Sequence, residues 1–202
     1  MIVIAESMAL KNASKSIEWF DANKVAVECN DIVKLKCKNL MEHNNEINIG
    51  FRKFRPGIDE RLLANMENDF FKYGNIVTEE AIRERFEKTS SLTDLAIFIC
   101  VNNVPIGFGQ IVDTKNGFML GSVGIVSEYR GCGFGKILVS YLVRAAIEYG
   151  LRNLHLYVRL NNKKARKLYS SLGFKHNGYS ITFEFPEKLI DIITKFKNLI
   201  FE

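Results

Sequence analysis

Arg130-Gly131-Cys132-Gly133-Phe134-Gly135 stands between a strand-like run, Phe118 to Val126, and a run of helical spacing. Phe118, Leu120, Val123, Ile125 and Val126 dominate the first. Ile137, Leu138, Tyr141, Leu142, Ala145, Ala146 and Tyr149 recur along the second. A strand, a glycine turn and a helix in that order aim several backbone N–H groups at one point. The first helical turn leaves such groups unpaired, and the helix dipole adds partial positive charge. Glycine lets a bulky anion approach the backbone closely. The ligand that suits such a turn is a pyrophosphate. The same run also reads as a plain tight turn. It lacks the Gly-Lys-Ser/Thr ending of a Walker loop and the glycine spacing of a dinucleotide fingerprint, and several predicted strands precede it.

A second segment decides between these readings. After a strand-like run from Leu154 to Leu160 comes Asn162-Lys163-Lys164-Ala165-Arg166-Lys167-Leu168-Tyr169, then Leu172-Gly173-Phe174. The pair resembles the two acetyl-CoA motifs of the GCN5-related N-acetyltransferases. Arg130, Gly133 and Gly135 match that family's Arg/Gln-x-x-Gly-x-Gly/Ala. Asn162, Ala165, Tyr169, Gly173 and Phe174 match its Asn-x-x-Ala-x-x-x-Tyr with Gly-Phe close behind.

The resemblance implies acetyl transfer from acetyl-CoA to a primary amine by direct attack, without a metal. It implies that Arg130, Gly131, Cys132, Gly133, Phe134 and Gly135, with Lys136, hold the pyrophosphate. The pantetheine arm would run beside Ile125 and Val126, with Asn162 on that arm; Asn162 also reads as a helix cap. A backbone N–H near Ile125 would polarise the thioester, and Gly124 would permit the strand bulge that frees it. Tyr169 is the family position for protonating the leaving thiolate. With ordinary values near ~10 for tyrosine and ~8.5 for the thiol, that transfer is uphill by roughly 2 kcal/mol. Cys132 is read as a tolerated small residue, not a nucleophile.

The base is harder to place. Leu156-Tyr157-Val158-Arg159 resembles the Leu-Glu-Val-Arg of the N-terminal acetyltransferase branch, with Tyr157 where that branch carries its glutamate. Glu128 sits in the turn, as a structural acid does in the family. His155 is read as packed rather than catalytic, on the sheet face opposite Tyr157. Ser127 stands where many relatives have proline, a change with no consequence legible in the sequence. A site without a strong base suits an amine of low pKa, so the α-amine of a peptide or small metabolite is the expected acceptor. The alternatives are a protein N-terminal acetyltransferase of the ribosomal-protein type and a non-catalytic acyl-CoA-binding or sensor domain.

The chain of 202 residues, 47% hydrophobic and 25% charged, is long enough for one globular domain with a full core. It has no apolar run of about 18 residues, so no membrane span is expected. The N-terminus lacks the pattern of a signal peptide. Cys29, Cys37, Cys100 and Cys132 lack zinc spacing and are too sparse for a disulfide scaffold, so a reducing cytoplasm is the simplest setting. The net charge of +5 is concentrated in part at Lys136, Lys163, Lys164, Arg166 and Lys167. The phosphates of coenzyme A account for some of it, and nucleic acid is not favoured as a partner.

Ile47, Ile49 and Phe51 alternate in a first strand over 47–55. Asp59 is the expected N-cap of a helix carrying Leu62, Leu63, Met66, Phe70 and Tyr73, stopped by Gly74. Thr78 is expected to cap a second helix. Strands Leu95 to Val101 and Pro105 to Val112 flank an Asn102-Asn103 turn, and Asn116-Gly117 signals another hairpin. The order β-α-α-β-β-β-α-β-α-β predicts an α/β (α+β) fold. Its sheet would be mixed and largely antiparallel, flanked by helices and splayed where the cofactor inserts. The expected organisation is an N-terminal extension over 1–46, the acetyltransferase domain over 47–185, and a C-terminal amphipathic helix over 186–202. Val33 to Lys38 reads as an edge strand, and the C-terminal helix would dock on the core or on a second copy in a homodimer.

Overall fold

The computed structural model describes residues 2–10, 47–71, 76–88 and 91–183. Seven strands and four α-helices lie among them. In chain order they are β1 (Ile2–Leu10), β2 (Ile49–Lys53), α1 (Glu60–Phe70), α2 (Glu79–Lys88), β3 (Ser91–Val101), β4 (Val104–Thr114), β5 (Gly117–Ile125), α3 (Phe134–Glu148), β6 (Leu154–Arg159), α4 (Lys163–Ser171) and β7 (Lys175–Phe183). From β2 onward this is the predicted order. Tyr73 and Gly74, the Val33–Lys38 stretch and the C-terminal 186–202 segment lie outside the described residues. No helix among the described residues is long and apolar enough to cross a membrane.

The strands form one mixed sheet in the order β2-β3-β4-β5-β6-β1-β7. Only β5 and β6 run parallel; the other neighbours are antiparallel. Asn102 and Asn103 both take positive φ, 49° and 67°, the signature of a tight turn that matches the twist of β3 and β4. Thr78 caps α2 as expected, its Oγ1 accepting from Ala81 N–H at 3.2 Å.

At β3 and β4 both faces of the sheet are covered. Along β3, Ala96, Phe98 and Cys100 pack with Leu63, Met66 and Ile82 of α1 and α2. The alternate residues Ile97 and Ile99 pack with Leu138 and Leu142 of α3. A strand buried on both sides must be apolar at every position, which explains the unbroken run from Leu95 to Val101. Tyr169 of α4 and Phe174 belong to the α3 face.

Two expectations change. Residues 1–46 were expected outside the domain, but β1 lies inside the sheet, antiparallel to both β6 and β7. Ile2 to Ile4 shows only a short apolar run, and pairing with strands far along the chain leaves no local mark. Asp59 precedes α1 but makes no capping bond. Its carboxylate takes Arg52 at 2.7 and 3.0 Å, and Arg55 through backbone N–H at 2.9 Å and Nε at 3.2 Å. Two guanidiniums outcompete the helix N–H groups for one buried carboxylate.

Candidate active site

β5 and β6 pair only at Phe118–Leu154 and Met119–His155. Beyond these, Leu120–Ile125 and Leu156–Arg159 diverge, and the sheet opens where the splay was expected. The glycine turn follows β5, and α3 starts at its end; α4 starts at the end of β6. Two helix N-termini therefore lie at the open end of the sheet.

Gly133 is the N-cap of α3 with φ 93°, and Gly131 has φ 83°. A side chain at either position would strain the backbone. A glycine cap offers no side chain to the helix, so the first-turn donors keep their capacity. Among the described residues, the N–H groups of Gly131, Gly133, Phe134 and Gly135 meet no hydrogen-bond acceptor. Phe134 is buried and meets Tyr129 edge-on at 6.0 Å, anchoring the turn. Lys136 is exposed in the first turn. The first turns of α3 and α4 carry no acid, whereas α1 and α2 begin with Glu60, Glu79 and Glu80.

Val126 N–H donates to Ile106 carbonyl at 2.9 Å. Antiparallel ladders alternate, so Ile125, opposite Gly107, turns its N–H and carbonyl away from β4 toward the opening. The bulge in β5 falls earlier than expected. Ser122 and Val123 together face Gly109, and Ser122 takes φ 50°. Gly124 serves another purpose: a Cβ there would meet the Phe70 ring at 2.1 Å.

Arg130 is placed differently from expectation. Its N–H donates to Ser127 carbonyl at 3.3 Å. Its Nε donates to Ile125 carbonyl at 2.8 Å, and Nη2 donates to Asp69 carbonyl at 2.8 Å and Oδ2 at 3.0 Å. Asp69 Oδ2 also accepts Ser127 N–H at 2.6 Å. The sequence reading missed Asp69. The available signal was an acid in the last turn of a helix, where it opposes the dipole without a specific partner. Cys132 is buried and disulfide-bonded, so it offers no thiol nucleophile, and the expectation that the cysteines stay reduced does not hold for it; Cys100 is a free, buried thiol.

Asn162 caps α4, its Oδ1 accepting Ala165 N–H at 3.1 Å. Tyr169 is buried, meets Phe174 edge-on at 5.8 Å, and borders the same apolar cluster as Ile125 and Val126. Burial pushes its hydroxyl up to about 12. His155 and Tyr157 share a face, their rings 5.8 Å apart, because residues two apart on a strand point the same way. That corrects the opposite-face reading. Tyr157 is exposed and Glu128 lies exposed in the short turn after β5. A cavity of about 680 Å³, lined by Phe118, Arg152, His155, Tyr157 and Asn177 among others, opens at the start of β5 and β6. It is at the end away from the glycine turn, and no expected donor-site residue lines it.

The solved structure of a GCN5-related N-acetyltransferase from Sphaerobacter thermophilus matches with a TM-score of 0.62 at 17% identity, over 89% of this chain and 50% of that one. AAC(6')-Iy, solved with a bisubstrate analog of CoA, matches with a TM-score of 0.55 at 17% identity, over 69% of this chain and 99% of that one. The fold is thus that of the GCN5-related N-acetyltransferases. A model of the acetyltransferase (GNAT) family matches residues 61–174, more than half of the chain, and the protein belongs to that family. The [ribosomal protein bS18]-alanine N-acetyltransferase of Haemophilus influenzae is 40% identical over 73 residues, 36% of this chain. The match spans about half of that relative, 49% of its length.

Proposed function

We propose that the protein is an N-acetyltransferase that uses acetyl-CoA and acts on a primary amine by direct attack. The observation that carries the reading is the divergence of β5 from β6 beside a glycine turn in which the N–H groups of Gly131, Gly133, Phe134 and Gly135 lack acceptors among the described residues. The chemistry of the residues fits the co-substrate. Lysines at the first turns of α3 and α4 oppose the helix dipoles unless an anion lies between them. The CoA analog bound to a structure of the same fold supports the assignment.

Acetyl-CoA supplies the activated acyl carbon. The Ile125 N–H donates to the acyl oxygen as negative charge gathers there. Tyr169 donates a hydrogen bond to the sulfur as the bond to carbon breaks. Burial pushes its hydroxyl up to about 12, and the same desolvation raises a thiol that leaves beside it. Tyr169 is the group placed to give the departing thiolate its proton, which water then replaces. The amine proton leaves to water.

The acceptor is the α-amine of a peptide or small metabolite. An amine near ~8 is about one tenth neutral at pH 7, while one near ~10.4 is neutral in about one molecule in ~2500. Among proteins, the N-terminus of a ribosomal protein is the reading favoured by the Haemophilus relative. Tyr157 in place of a glutamate weighs against it. Calorimetric titration of acetyl-CoA tests the site, with Gly133→Asp placing a negative charge in the turn. Saturable binding lost in the variant, followed by thiol release with α-amines ahead of spermidine or lysine, is the expected result. A folded protein that binds no acetyl-CoA rejects the reading.

A further inference from the structure

The end of α1 grips the donor site through two successive residues. Phe70 lays its ring on Gly124, one residue before the Ile125 donor. Asp69 accepts Ser127 N–H at 2.6 Å and, by side chain and carbonyl, the Arg130 guanidinium at 3.0 and 2.8 Å. The same guanidinium holds the Ile125 carbonyl at 2.8 Å. One carboxylate on a helix thus connects to both ends of the Ile125–Arg130 segment. Charge-assisted bonds of this kind are short and directional.

We propose that Asp69 is a positioning residue: through Arg130 and Ser127 it sets the Ile125 peptide and the entry to the glycine turn. The inference rests on the acetyltransferase reading for its effect on turnover, and on geometry alone for its effect on the segment. It also gives Ser127 a purpose. Proline, which has no N–H, cannot make the 2.6 Å bond, so this contact is available only because the position carries another residue. Val126 is already extended, with φ −57° and ψ 146°, so a proline after it is tolerated by the backbone.

The test uses Asp69→Asn, Ser127→Pro and the double variant in the full chain. Amide hydrogen exchange over residues 125–130 reads the clamp without any ligand. Asp69→Asn speeds exchange there by about tenfold while β3 and β4 stay protected. With acetyl-CoA and an amine, kcat falls by about tenfold in each single variant, melting temperatures stay close to wild type, and the double variant is no worse than the poorer single. Unchanged exchange in Asp69→Asn overturns the proposal. So does a loss of kcat that simply tracks a loss of melting temperature. Wild-type protein that binds no acetyl-CoA defeats the acetyltransferase reading instead, and the exchange experiment still decides the clamp.

Discussion

Phe70 and Gly124 are in contact so close that no other residue fits at 124. A Cβ on Gly124 would lie 2.1, 2.2 and 2.7 Å from Cγ, Cδ2 and Cδ1 of the ring. The ring and β5 are both held, the ring by α1 and β5 by its ladder with β4. Gly124→Ala is therefore expected to cost about 2–3 kcal/mol of stability, as overpacking does. Phe70→Ala combined with Gly124→Ala should lose less than the sum of the two single changes. Urea denaturation of the four proteins checks it; strict additivity would show that the ring swings away freely.

Tyr169→Phe keeps the buried ring and its edge-on contact with Phe174 but removes the donor. Turnover should fall by about a hundredfold while acetyl-CoA affinity stays within about twofold. Steady-state kinetics beside calorimetry separates the two. A variant that turns over like wild type would leave Tyr169 as a core aromatic and nothing more.

The same hydroxyl makes an alkaline prediction. Its folded pKa, about 12, is raised above the ordinary ~10 of the unfolded chain. The unfolded state loses its proton first, so the contribution is fully present below pH ~10. It is lost as pH climbs toward about 12, at about 1.4 kcal/mol per unit. Other groups titrate there too, so the difference between wild type and Tyr169→Phe is the quantity to follow. Melting temperatures above pH 10 should fall more steeply for wild type.

Asp59 predicts the acid limb. Its burial alone would raise its pKa, but hydrogen bonds from Arg52 and Arg55 outweigh that and hold it below the usual carboxylate value. Its stabilising contribution is present above the unfolded pKa and is lost as pH falls through the folded one. Asp59→Ala should cost about 2 kcal/mol at pH 7, less than the ~3–5 kcal/mol of a fully buried pair because Arg55 reaches solvent. That cost should shrink below pH 4 as wild type loses the same contacts. A cost that stays constant with pH would mean packing, not charge, sets it.

Lys163 predicts effects of opposite sign in one variant. It is exposed at the first position of α4, against the helix dipole. Lys163→Glu should stabilise the protein by about 0.5 kcal/mol and weaken acetyl-CoA binding several-fold, with the weakening reduced at high salt. Thermal melts and calorimetry at two salt concentrations measure both. Stronger binding in the variant would place the phosphates elsewhere.

The amino-acid sequence by itself determined what neighbours in the chain decide. The glycine turn, the Thr78 and Asn162 caps, the Asn102-Asn103 hairpin and the element order from β2 to β7 depend on residues a few positions apart. Tertiary structure decided the rest, because the partners are distant along the chain. Asp69 meets Ser127 and Arg130 across 58 and 61 positions, and Phe70 meets Gly124 from the next residue of the same helix. The bulge at Ser122, the insertion of β1 between β6 and β7 and the raised Tyr169 hydroxyl likewise follow from which strand or core each residue meets. Local propensity carries no record of that choice; packing makes it.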